Sequence, residues 1–465
     1  MTQLWRLDGH ELSNLIKLKK VSAVEVVEAH LGRLAEVNSK LNAVVQEMPE
    51  EAIAEAKKID KKINAGENPG VLCGVPITIK VVADQKGHAT TNGLKLHKDL
   101  VAQTDSPIVS NVRKAGGIII GRTNTPAFSL RWFTNNDLHG QTLNPHNNLI
   151  TPGGSSGGAS SAVASGMCPI AHGTDIGGSI RYPAYACGLH GLRPTLGRIP
   201  AYNASWPERH IGAQLMAVGG PLARSMKDIE ISFEAMSASD SRDPWYVPAP
   251  ISGPTFEKRV AFCTNPDDMP VCEEVEKEIR NSADKLAQCG WEVEEVDCPP
   301  MKDVADINAK LWMAETRYAA SALIEKEGEP NSKFVFEQMT KRSPEIDIGG
   351  LLEALQKRST FLREWQLFLS KYPVLITPVS GQLPFPQQLD VKSEDDFENI
   401  MKAQLTQLAI PALGIPALSV FTGFAGMTPV GVQLISGRYR EDIIIAAGMD
   451  LEKSGISPLC VDPSW

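Results

Sequence analysis

The sequence has too few positive charges for a protein whose main partner is nucleic acid. Its 465 residues contain 46 Lys and Arg against 55 Asp and Glu, which gives a formal net charge of −9 at pH 7. Because contact with phosphate groups needs a basic surface, we expect no nucleic-acid partner. For the same reason we expect no binding to an anionic membrane surface.

Long apolar runs are also absent. No run approaches the ~18 apolar residues that a membrane helix needs. The most apolar stretch, IPALGIPALSVFTGF, is interrupted by Pro411 and Pro416. The N-terminal stretch, MTQLWRLDGHELSNLIKLKK, has no apolar segment of the kind found in a secretory signal peptide. We therefore expect neither a membrane span nor a signal peptide.

The cysteines form none of the patterns that indicate disulfides or zinc. There is no C-x-x-C pair and no Cys/His spacing typical of a metal site. In a chain of this length, scattered cysteines are typical of a reducing compartment, so we expect a cytoplasmic protein without a bound metal. The eight positions are 73, 168, 187, 263, 272, 289, 298 and 460.

What is present is an alternation of short apolar runs with helical patterns. The runs are bounded by Gly or Pro and lie near residues 72–80, 118–121, 168–175, 260–263, 374–378, 417–421 and 430–435. Such a pattern predicts an α/β fold with a large mixed, mostly parallel β-sheet covered on both faces by helices.

Four segments of one compact domain are expected. Residues 1–65 have helical periodicity, and Ser22 with Glu25 forms a capping box. Residues 66–240 form the core, and residues 371–465 return to its sheet. Residues 241–370 are charged and rich in helical patterns, which predicts an insertion that lines a cleft.

Two serines framed by glycine stand out within the core segment. Ser155 lies in GGSSGG and Ser179 lies in IGGSIR, twenty-four residues further on. Glycines around a serine indicate backbone that approaches another group closely or takes dihedral angles that a Cβ would forbid. Two such sites so near in sequence predict two reactive hydroxyls in one place.

A serine hydroxyl is a weak nucleophile and needs a base. Histidine is the usual base, and His172, His190 and His210 lie near the motif, but His172 lies inside an apolar, strand-like run. Lys80 is the better candidate because it ends the apolar run GVPITIK. Loss of hydration there would lower its pKa and make the neutral amine available.

These residues resemble the signature of one enzyme family. GVPITIK, GGSSGG, GTDIGGSIRYPA and GLRPTLGR, in this order, are similar to the motifs of the amidase signature family of serine hydrolases. GRTNTPAF, GGPLARSMKD and PVGVQLI resemble further family segments, so that the similarity extends from about residue 70 to the C-terminus. Local stretches such as KGHATTNGLKL resemble the fatty acid amide hydrolase branch, although this sequence has no N-terminal membrane helix.

The resemblance implies a Ser-Ser-Lys triad and no cofactor. Ser179 matches the nucleophile and Ser155 the bridging serine, which follows a cis peptide bond in the family. Lys80 matches the general base. Four consecutive main-chain amides match the oxyanion hole, those of Ile176, Gly177, Gly178 and Ser179. Supporting roles are expected for Ser156, near Lys80, and for Asp175 and Arg181, as a polar brace of the nucleophile loop.

The resemblance implies hydrolysis of a carboxylic acid amide through a serine acyl-enzyme. We expect a small or aromatic amide, with esters or hydrazides as possible further substrates. Ser129 aligns with a position that lines the acyl pocket in the family. Trp132 and Trp206 are aromatic candidates for the same pocket, or they are packing residues, and Trp312 is a weaker candidate.

Two alternatives and the oligomeric state stay open at this point. The family also includes the amidase subunit of glutamyl-tRNA amidotransferase, which acts as a glutaminase within a complex. An alternative from another class is a non-catalytic scaffold or binding protein that keeps the fold, but the sequence retains all three triad residues. The sequence is also compatible with a homodimer.

Overall fold

One β-sheet runs through the whole molecule. The computed structural model describes residues 3–465, and eleven strands within them form this sheet. Numbered along the chain, the strands lie in the order β1-β3-β2-β4-β6-β5-β10-β11-β9-β7-β8. The chain therefore enters the sheet at one edge and places the two strands of the inserted segment, β7 and β8, at the other.

The N-terminal segment is helical except for one strand. Its elements are α1 Gly9–Lys17, α2 Ala23–Leu41, β1 Val44–Glu47 and α3 Pro49–Asn64. The predicted capping box is confirmed, because Ser22 Oγ accepts from the Glu25 N–H at 3.1 Å and a Glu25 carboxylate oxygen accepts from the Ser22 N–H at 2.7 Å. The prediction of a purely helical segment was wrong, because β1 pairs antiparallel with β3 and forms one edge of the sheet.

The core segment contains five strands and five helices. They are β2 Pro76–Lys80, α4 Pro107–Lys114, β3 Ile118–Thr123, α5 Gly157–Ala164, β4 Ile170–Asp175, α6 Arg181–Ala186, β5 His190–Arg193, α7 Ile211–Met216, β6 Val218–Ala223 and α8 Met226–Met236. Three of the strands, β2, β3 and β4, fall on predicted apolar runs. The sequence did not single out β5 and β6, which are rich in Gly and Pro or very short.

The inserted segment consists mainly of helices, and it also extends the sheet, with one strand on the predicted apolar run at 260–263. Its elements are β7 Arg259–Phe262, α9 Glu273–Gln288, β8 Glu292–Glu295, α10 Lys302–Ala319, α11 Ser321–Glu327, α12 Pro330–Arg342 and α13 Ile348–Lys371. Strand β7 lies between β8 and β9 and is parallel to both. The apolar side of α10 joins α13 and α15 in a buried cluster that includes Leu311, Trp365 and Leu413.

The C-terminal segment returns to the middle of the sheet. Its elements are β9 Val374–Pro378, α14 Glu394–Ala403, α15 Leu405–Leu413, β10 Ala417–Ala425, β11 Thr428–Ile435 and α16 Glu441–Ser454. Strands β10 and β11 form a hairpin, and β10 pairs with β5 of the core segment. The chain thus closes the sheet between the core segment and the inserted one.

The mixed sheet is confirmed, but it is less parallel than predicted. Six of the strand pairs are antiparallel and four are parallel. The parallel pairs join β2 to β3 and β4, and β7 to β8 and β9. One antiparallel pair, β10 with β11, is a hairpin, and the other five join strands that are far apart in sequence. The sequence could not show these pairings, because apolar composition alone does not distinguish parallel strands from buried antiparallel ones.

Helices cover both faces of the sheet, as the strand sequences require. In β3, Ile119 belongs to one buried cluster, whereas Ile118 and Ile120 belong to another. Side chains of a strand alternate between its two faces, so β3 is apolar on both. Helices α1, α2, α3 and α5 contribute to the second cluster, and α4, α8, α9 and α16 contribute to the first.

Candidate active site

The site lies where two parallel neighbouring strands end. Lys80 is the last residue of β2, and Thr174 and Asp175 are the last two of β4. Because β2 and β4 are parallel neighbours, their carboxyl ends lie at the same edge of the sheet. The loop that carries Ser155 and the loop that carries Ser179 meet at this edge.

Lys80 is fully buried and surrounded by hydroxyl groups. Its Nζ lies 2.6 Å from Ser155 Oγ, 3.0 Å from Thr174 Oγ1 and 3.2 Å from Ser156 Oγ. A neutral amine has two N–H groups and one lone pair. Donation to Thr174 and Ser156 leaves the lone pair for the shortest contact, so that the Ser155 hydroxyl can donate to Nζ.

The surroundings of Lys80 favour that neutral form. Burial lowers its pKa to about 7, and the more distant negative charge of Asp175 opposes this shift only in part. Within residues 3–465 no carboxylate lies within ion-pair distance of Nζ. The predicted loss of hydration at the end of the GVPITIK strand is therefore present in the structure.

The two glycine-framed serines come together through their backbones. The Ser156 N–H donates to the Ser179 carbonyl at 3.2 Å, which joins the GGSSGG loop to the loop that carries Ser179. The Gly154–Ser155 peptide bond is cis, as the family resemblance implied. A Cβ at Gly154 would lie 2.4 Å from the Arg131 carbonyl oxygen, so this position tolerates only glycine. Both serines are buried, with Ser155 1% and Ser179 6% exposed.

The segment Asp175–Ser179, called the nucleophile loop below, presents unpaired main-chain N–H groups. Within residues 3–465, the N–H groups of Ile176, Gly177 and Ser179 have no acceptor. The N–H of Gly178 differs, because it donates to Asp175 Oδ1 at 3.1 Å. Gly178 was predicted as an oxyanion donor too, but this hydrogen bond engages its N–H group, which leaves only the N–H groups of the other three residues free.

Gly178 is instead required by its conformation. Its φ is +95°, in the region that favours glycine. A Cβ there would lie 2.5 Å from Gln407 Oε1, so α15 leaves no room for a side chain. The second glycine of the IGGSIR motif therefore sets the conformation of the nucleophile loop and does not supply a free N–H donor.

Asp175 and Arg181 form the brace that the sequence predicted, and a third residue completes it. Arg181 donates to both Asp175 carboxylate oxygens, from Nε at 3.1 Å and from a terminal nitrogen at 3.0 Å. Arg193 donates to the Asp175 carbonyl at 2.7 Å and to its carboxylate at 3.2 Å. Burial alone would raise the pKa of Asp175, but the two guanidinium groups outweigh it and hold that pKa well below its usual range.

Two cavities of very different size flank the nucleophile loop. The larger, of about 430 Å³, is lined by Thr174 and Ile176, among others. The smaller, of about 30 Å³, is lined by Gly177 and Ser179. Ser129 and Trp312 line both cavities, so the nucleophile loop lies at their junction.

The structure places the three predicted substrate-binding residues in these walls, but in different ways. Ser129 lines both cavities, and its Oγ donates to Asn92 Oδ1 at 2.8 Å. Trp206 lines the large cavity and packs edge-on against His97. Trp132 lines only the small one, and its indole N–H donates to the Gly177 carbonyl at 2.8 Å.

The histidines do not form a Ser-His pair. Within residues 3–465, none of the three considered hydrogen-bonds Ser155 or Ser179. His190 contacts Glu452 at 3.2 Å, and His210 is exposed. His172 lines the large cavity, and burial lowers its pKa to about 3, so its ring is neutral.

Four residues of the site escaped the reasoning from sequence. Thr174 directly precedes Asp175 in the GTDIGGSIR motif, and Arg193 lies in GLRP, so the motif contained a signal for both. Asn308 and Gln407 touch the nucleophile loop from α10 and α15, and nothing in their local sequence marks them. Trp312, the weaker candidate, proves to line both cavities.

Two further properties of the described chain bear on the predictions. No helix in residues 3–465 has the length and hydropathy needed to cross a lipid bilayer. Over the same residues, no group of three or more His, Cys, Asp or Glu side chains is arranged to hold a metal ion.

Comparison with known proteins relates this geometry to one family. A family model described as Amidase matches residues 25–445. Indoleacetamide hydrolase of Bradyrhizobium diazoefficiens is 42% identical over 453 residues, which cover 97% of this chain and 86% of that protein. A glutamyl-tRNA(Gln) amidotransferase subunit from Clostridium botulinum is more distant, with 29% identity over 96% of each chain.

Solved structures share the whole fold. A bacterial aryl acylamidase of the amidase signature family has a TM-score of 0.84 and 26% identity, with 96% of both chains covered. Fatty acid amide hydrolase, whose branch the sequence resembled locally, also has a TM-score of 0.84, with 98% of this chain and 86% of that chain covered. Its identity of 23% shows likeness of fold alone.

Proposed function

The chain belongs to the amidase family and hydrolyses carbon–nitrogen bonds of carboxylic acid amides, and on this premise we propose that its substrate is a primary amide with a flat aromatic acyl group. The proposed reaction is R–CO–NH₂ plus water to R–COOH plus ammonia. Indoleacetamide, which names the 42% identical relative, is a substrate of this class. The observation that carries the proposal is the difference in size between the two cavities beside the nucleophile loop.

The larger cavity suits the acyl group. Its volume of about 430 Å³ lies within the roughly 300–1,000 Å³ of small-molecule sites. Phe128, Tyr202, Trp206 and Trp312 contribute aromatic surface, which stacks well on a flat ring. A bicyclic arylacetyl group therefore has both the room and the apolar contacts it needs.

The smaller cavity suits the leaving group. Its volume of about 30 Å³ is somewhat more than the roughly 10–15 Å³ that a cavity needs to hold one water molecule, and ammonia is of similar size. A substituted amine such as aniline would require Val335, Met339 or Met401 to move out of this cavity. The proposal therefore favours primary amides over anilides.

Within this reaction, we assign nucleophilic attack to Ser179. Lys80, neutral at the start, takes the proton of Ser155, and Ser155 takes the proton of Ser179. The Ser179 oxygen then forms a bond to the amide carbon, and the carbonyl oxygen becomes an oxyanion. Contacts that support the assignment are the 2.6 Å separation of Lys80 Nζ and Ser155 Oγ and the backbone bond between the two serine loops.

The second half of the reaction uses the same groups in reverse. The proton on Lys80 returns through Ser155 to the amide nitrogen, so the C–N bond breaks with neutral ammonia as the leaving group. Water then attacks the acyl-enzyme, and its proton passes through Ser155 to Lys80. The bond between the acyl carbon and Ser179 Oγ breaks, the proton returns through Ser155 to Ser179, and the acid leaves. In both steps we assign the unpaired N–H groups of Ile176, Gly177 and Ser179 to the oxyanion.

We also propose that the chain acts in the cytoplasm and without a second protein that supplies or uses ammonia. Support for the location comes from the eight cysteines, all of which are unpaired. Support for independence comes from the relatives, because the indoleacetamide hydrolase is more similar to this chain than the amidotransferase subunit is. The similarity to an amide hydrolase argues against the alternative of a non-catalytic scaffold.

A substrate panel tests the proposal. The purified chain would be assayed with indole-3-acetamide, its N-phenyl amide, its methyl ester and hydrazide, acetamide and glutamine. We expect the highest kcat/KM for indole-3-acetamide, a loss of at least about tenfold for the N-phenyl amide, and little turnover of glutamine. A preference for glutamine would overturn the proposal, and a preference for the anilide would overturn its leaving-group half.

Size-exclusion chromatography of the same preparation tests independence. Activity that elutes with the single chain, as a monomer or a homodimer, is the expected result. Activity that requires the other proteins of an amidotransferase complex would contradict it.

A further inference from the structure

The directions of the unpaired N–H groups are set from the opposite side of the nucleophile loop. In a planar trans peptide, the carbonyl of one residue and the N–H of the next point in opposite directions. Whatever binds the carbonyl therefore orients the N–H. The carbonyls of Asp175 and Gly178 are bound by Arg193 at 2.7 Å and by the Tyr182 N–H at 2.8 Å, both within the core segment.

The carbonyl of Ile176 is bound from the inserted segment. Asn308, on α10, donates its amide to this carbonyl at 3.0 Å. The peptide unit that contains this carbonyl also contains the N–H of Gly177, one of the three unpaired groups. Asn308 therefore binds the carbonyl end of the peptide unit whose N–H group is predicted to bind the oxyanion.

The side chain of Asn308 makes no other hydrogen bond within residues 3–465. It is fully buried, and its Oδ1 has no donor. Leaving a buried amide oxygen unpaired costs about 1–3 kcal/mol, so Asn308 is a poor residue for stabilising the fold. An amide kept at such a position is expected where its one hydrogen bond matters for activity.

We propose that Asn308 is a positioning residue that orients the Gly177 N–H toward the oxyanion of the tetrahedral intermediate. This inference rests on the proposed acyl-enzyme reaction. Asn308 lines neither of the two cavities beside the nucleophile loop and has no hydrogen bond to Ser179; it acts through the Ile176–Gly177 peptide unit. Without its bond, that unit can rotate and the Gly177 N–H loses its direction. Stabilisation of the oxyanion then weakens, whereas the walls of the acyl cavity stay as they are.

The variant Asn308→Leu tests the proposal, because leucine has a similar size and no donor. We expect kcat for indole-3-acetamide to fall about 10- to 100-fold, less than the 10²–10³-fold typical of removing an oxyanion donor itself. KM should change less than about twofold. Affinity for an arylboronic acid, which forms a tetrahedral adduct with a serine, should fall by the same factor as kcat.

Three additions make the result decisive. Asn308→Asp keeps the volume of the side chain and, when ionised, cannot donate, so the same loss at pH 8 is expected if the leucine variant fails to fold. Thr316→Val is a matched control on α10, because this hydroxyl bonds only the Trp312 carbonyl of its own helix. The rate of labelling by a fluorophosphonate needs no amide and should also fall in Asn308→Leu.

The outcomes separate this inference from the proposed substrate. A folded Asn308→Leu protein with kcat, boronate affinity and labelling rate within about twofold of wild type would overturn it. A raised KM at unchanged kcat would also overturn it, because Asn308 would then serve binding. If wild type labels rapidly but does not hydrolyse aromatic amides, the substrate class is wrong, and the labelling rates still decide the role of Asn308.

Discussion

The core segment and the inserted segment use charge in opposite ways. In the core, Lys80, Asp175, Arg181 and Arg193 are fully or almost fully buried, and each is held by hydrogen bonds at the site. In the inserted segment, the ion pairs lie at the surface, such as Arg280 with Glu276 and Glu295. Buried charges have few alternative arrangements, so they fix geometry, whereas exposed pairs are exchanged readily with water and salt.

The difference between the two segments should be greatest when the reacting groups of the core segment are substituted. We expect Ser179→Ala to reduce kcat/KM by a factor of about 10⁴ or more, because no other group can form the acyl-enzyme. Steady-state assays and fluorophosphonate labelling would measure the loss, and an unchanged circular dichroism spectrum would show that the fold is intact. Turnover near the wild-type level would assign the nucleophile elsewhere.

Lys80→Met should be nearly as damaging, with a loss of about 10³-fold or more. The wild-type enzyme should also depend on pH in one direction. In the proposed reaction Lys80 acts as the neutral amine, and burial lowers its pKa to about 7. Therefore kcat/KM should rise with pH through about 7 and reach a plateau above. A profile that falls as pH rises through 7 would contradict Lys80 as the base.

Asp175→Asn should mainly reduce stability. It removes the negative charge between Arg181 and Arg193 and leaves two buried guanidinium groups without a counter-ion. Breaking a buried ion pair in this way costs about 3–5 kcal/mol in free energy of unfolding. Denaturant titration would measure it, with Asp306→Asn, from the exposed pair with Lys310, as the control. Equal losses in free energy of unfolding for the two variants would contradict the difference in charge use between the two segments.

Arg280→Gln should have the smallest effect. This side chain is 44% exposed and binds two glutamates at the surface of α9 and β8. Pairs of this kind contribute little once screened by solvent. We expect no measurable change in Tm or in kcat/KM at 0.15 M salt. A clear drop in Tm would mean that surface charges of the inserted segment stabilise the fold after all.

Much of the core could be predicted because its determinants lie close together in sequence. Apolar runs marked β2, β3, β4 and β9 to β11, and the glycine-framed serines marked the two loops that meet at Lys80. The strands β1, β5, β6 and β8 were missed, because they are short, partly polar or rich in Gly and Pro. Their place depends on partners elsewhere in the sheet, which local composition does not reveal.

The residues of the site also divide into those with a local sequence signal and those without one. Ser155, Ser179 and Lys80 were predicted from motifs, as were Asp175 and Arg181, and the structure brings these residues together. The hydrogen bond of the Gly178 N–H was not predicted, because it depends on the direction in which the Asp175 carboxylate points. Asn308 lies more than a hundred residues from the loop that it touches, and a single asparagine within a helical pattern carries no local signal. Contacts of this kind follow only from the packing of α10 on the core.

Helix α10 has one more consequence, for the way in which specificity can change. Asn308 and Trp312 lie four residues apart, on one face of the helix. The first holds the nucleophile loop, and the second lines both cavities. A substitution that shifts the helix to admit a different acyl group therefore also moves the anchor of the Gly177 peptide. If the large cavity holds the acyl group as proposed, specificity and turnover are linked through this helix, and we expect new substrates to be gained most easily by changes at Trp206 or Tyr202, which lie outside it.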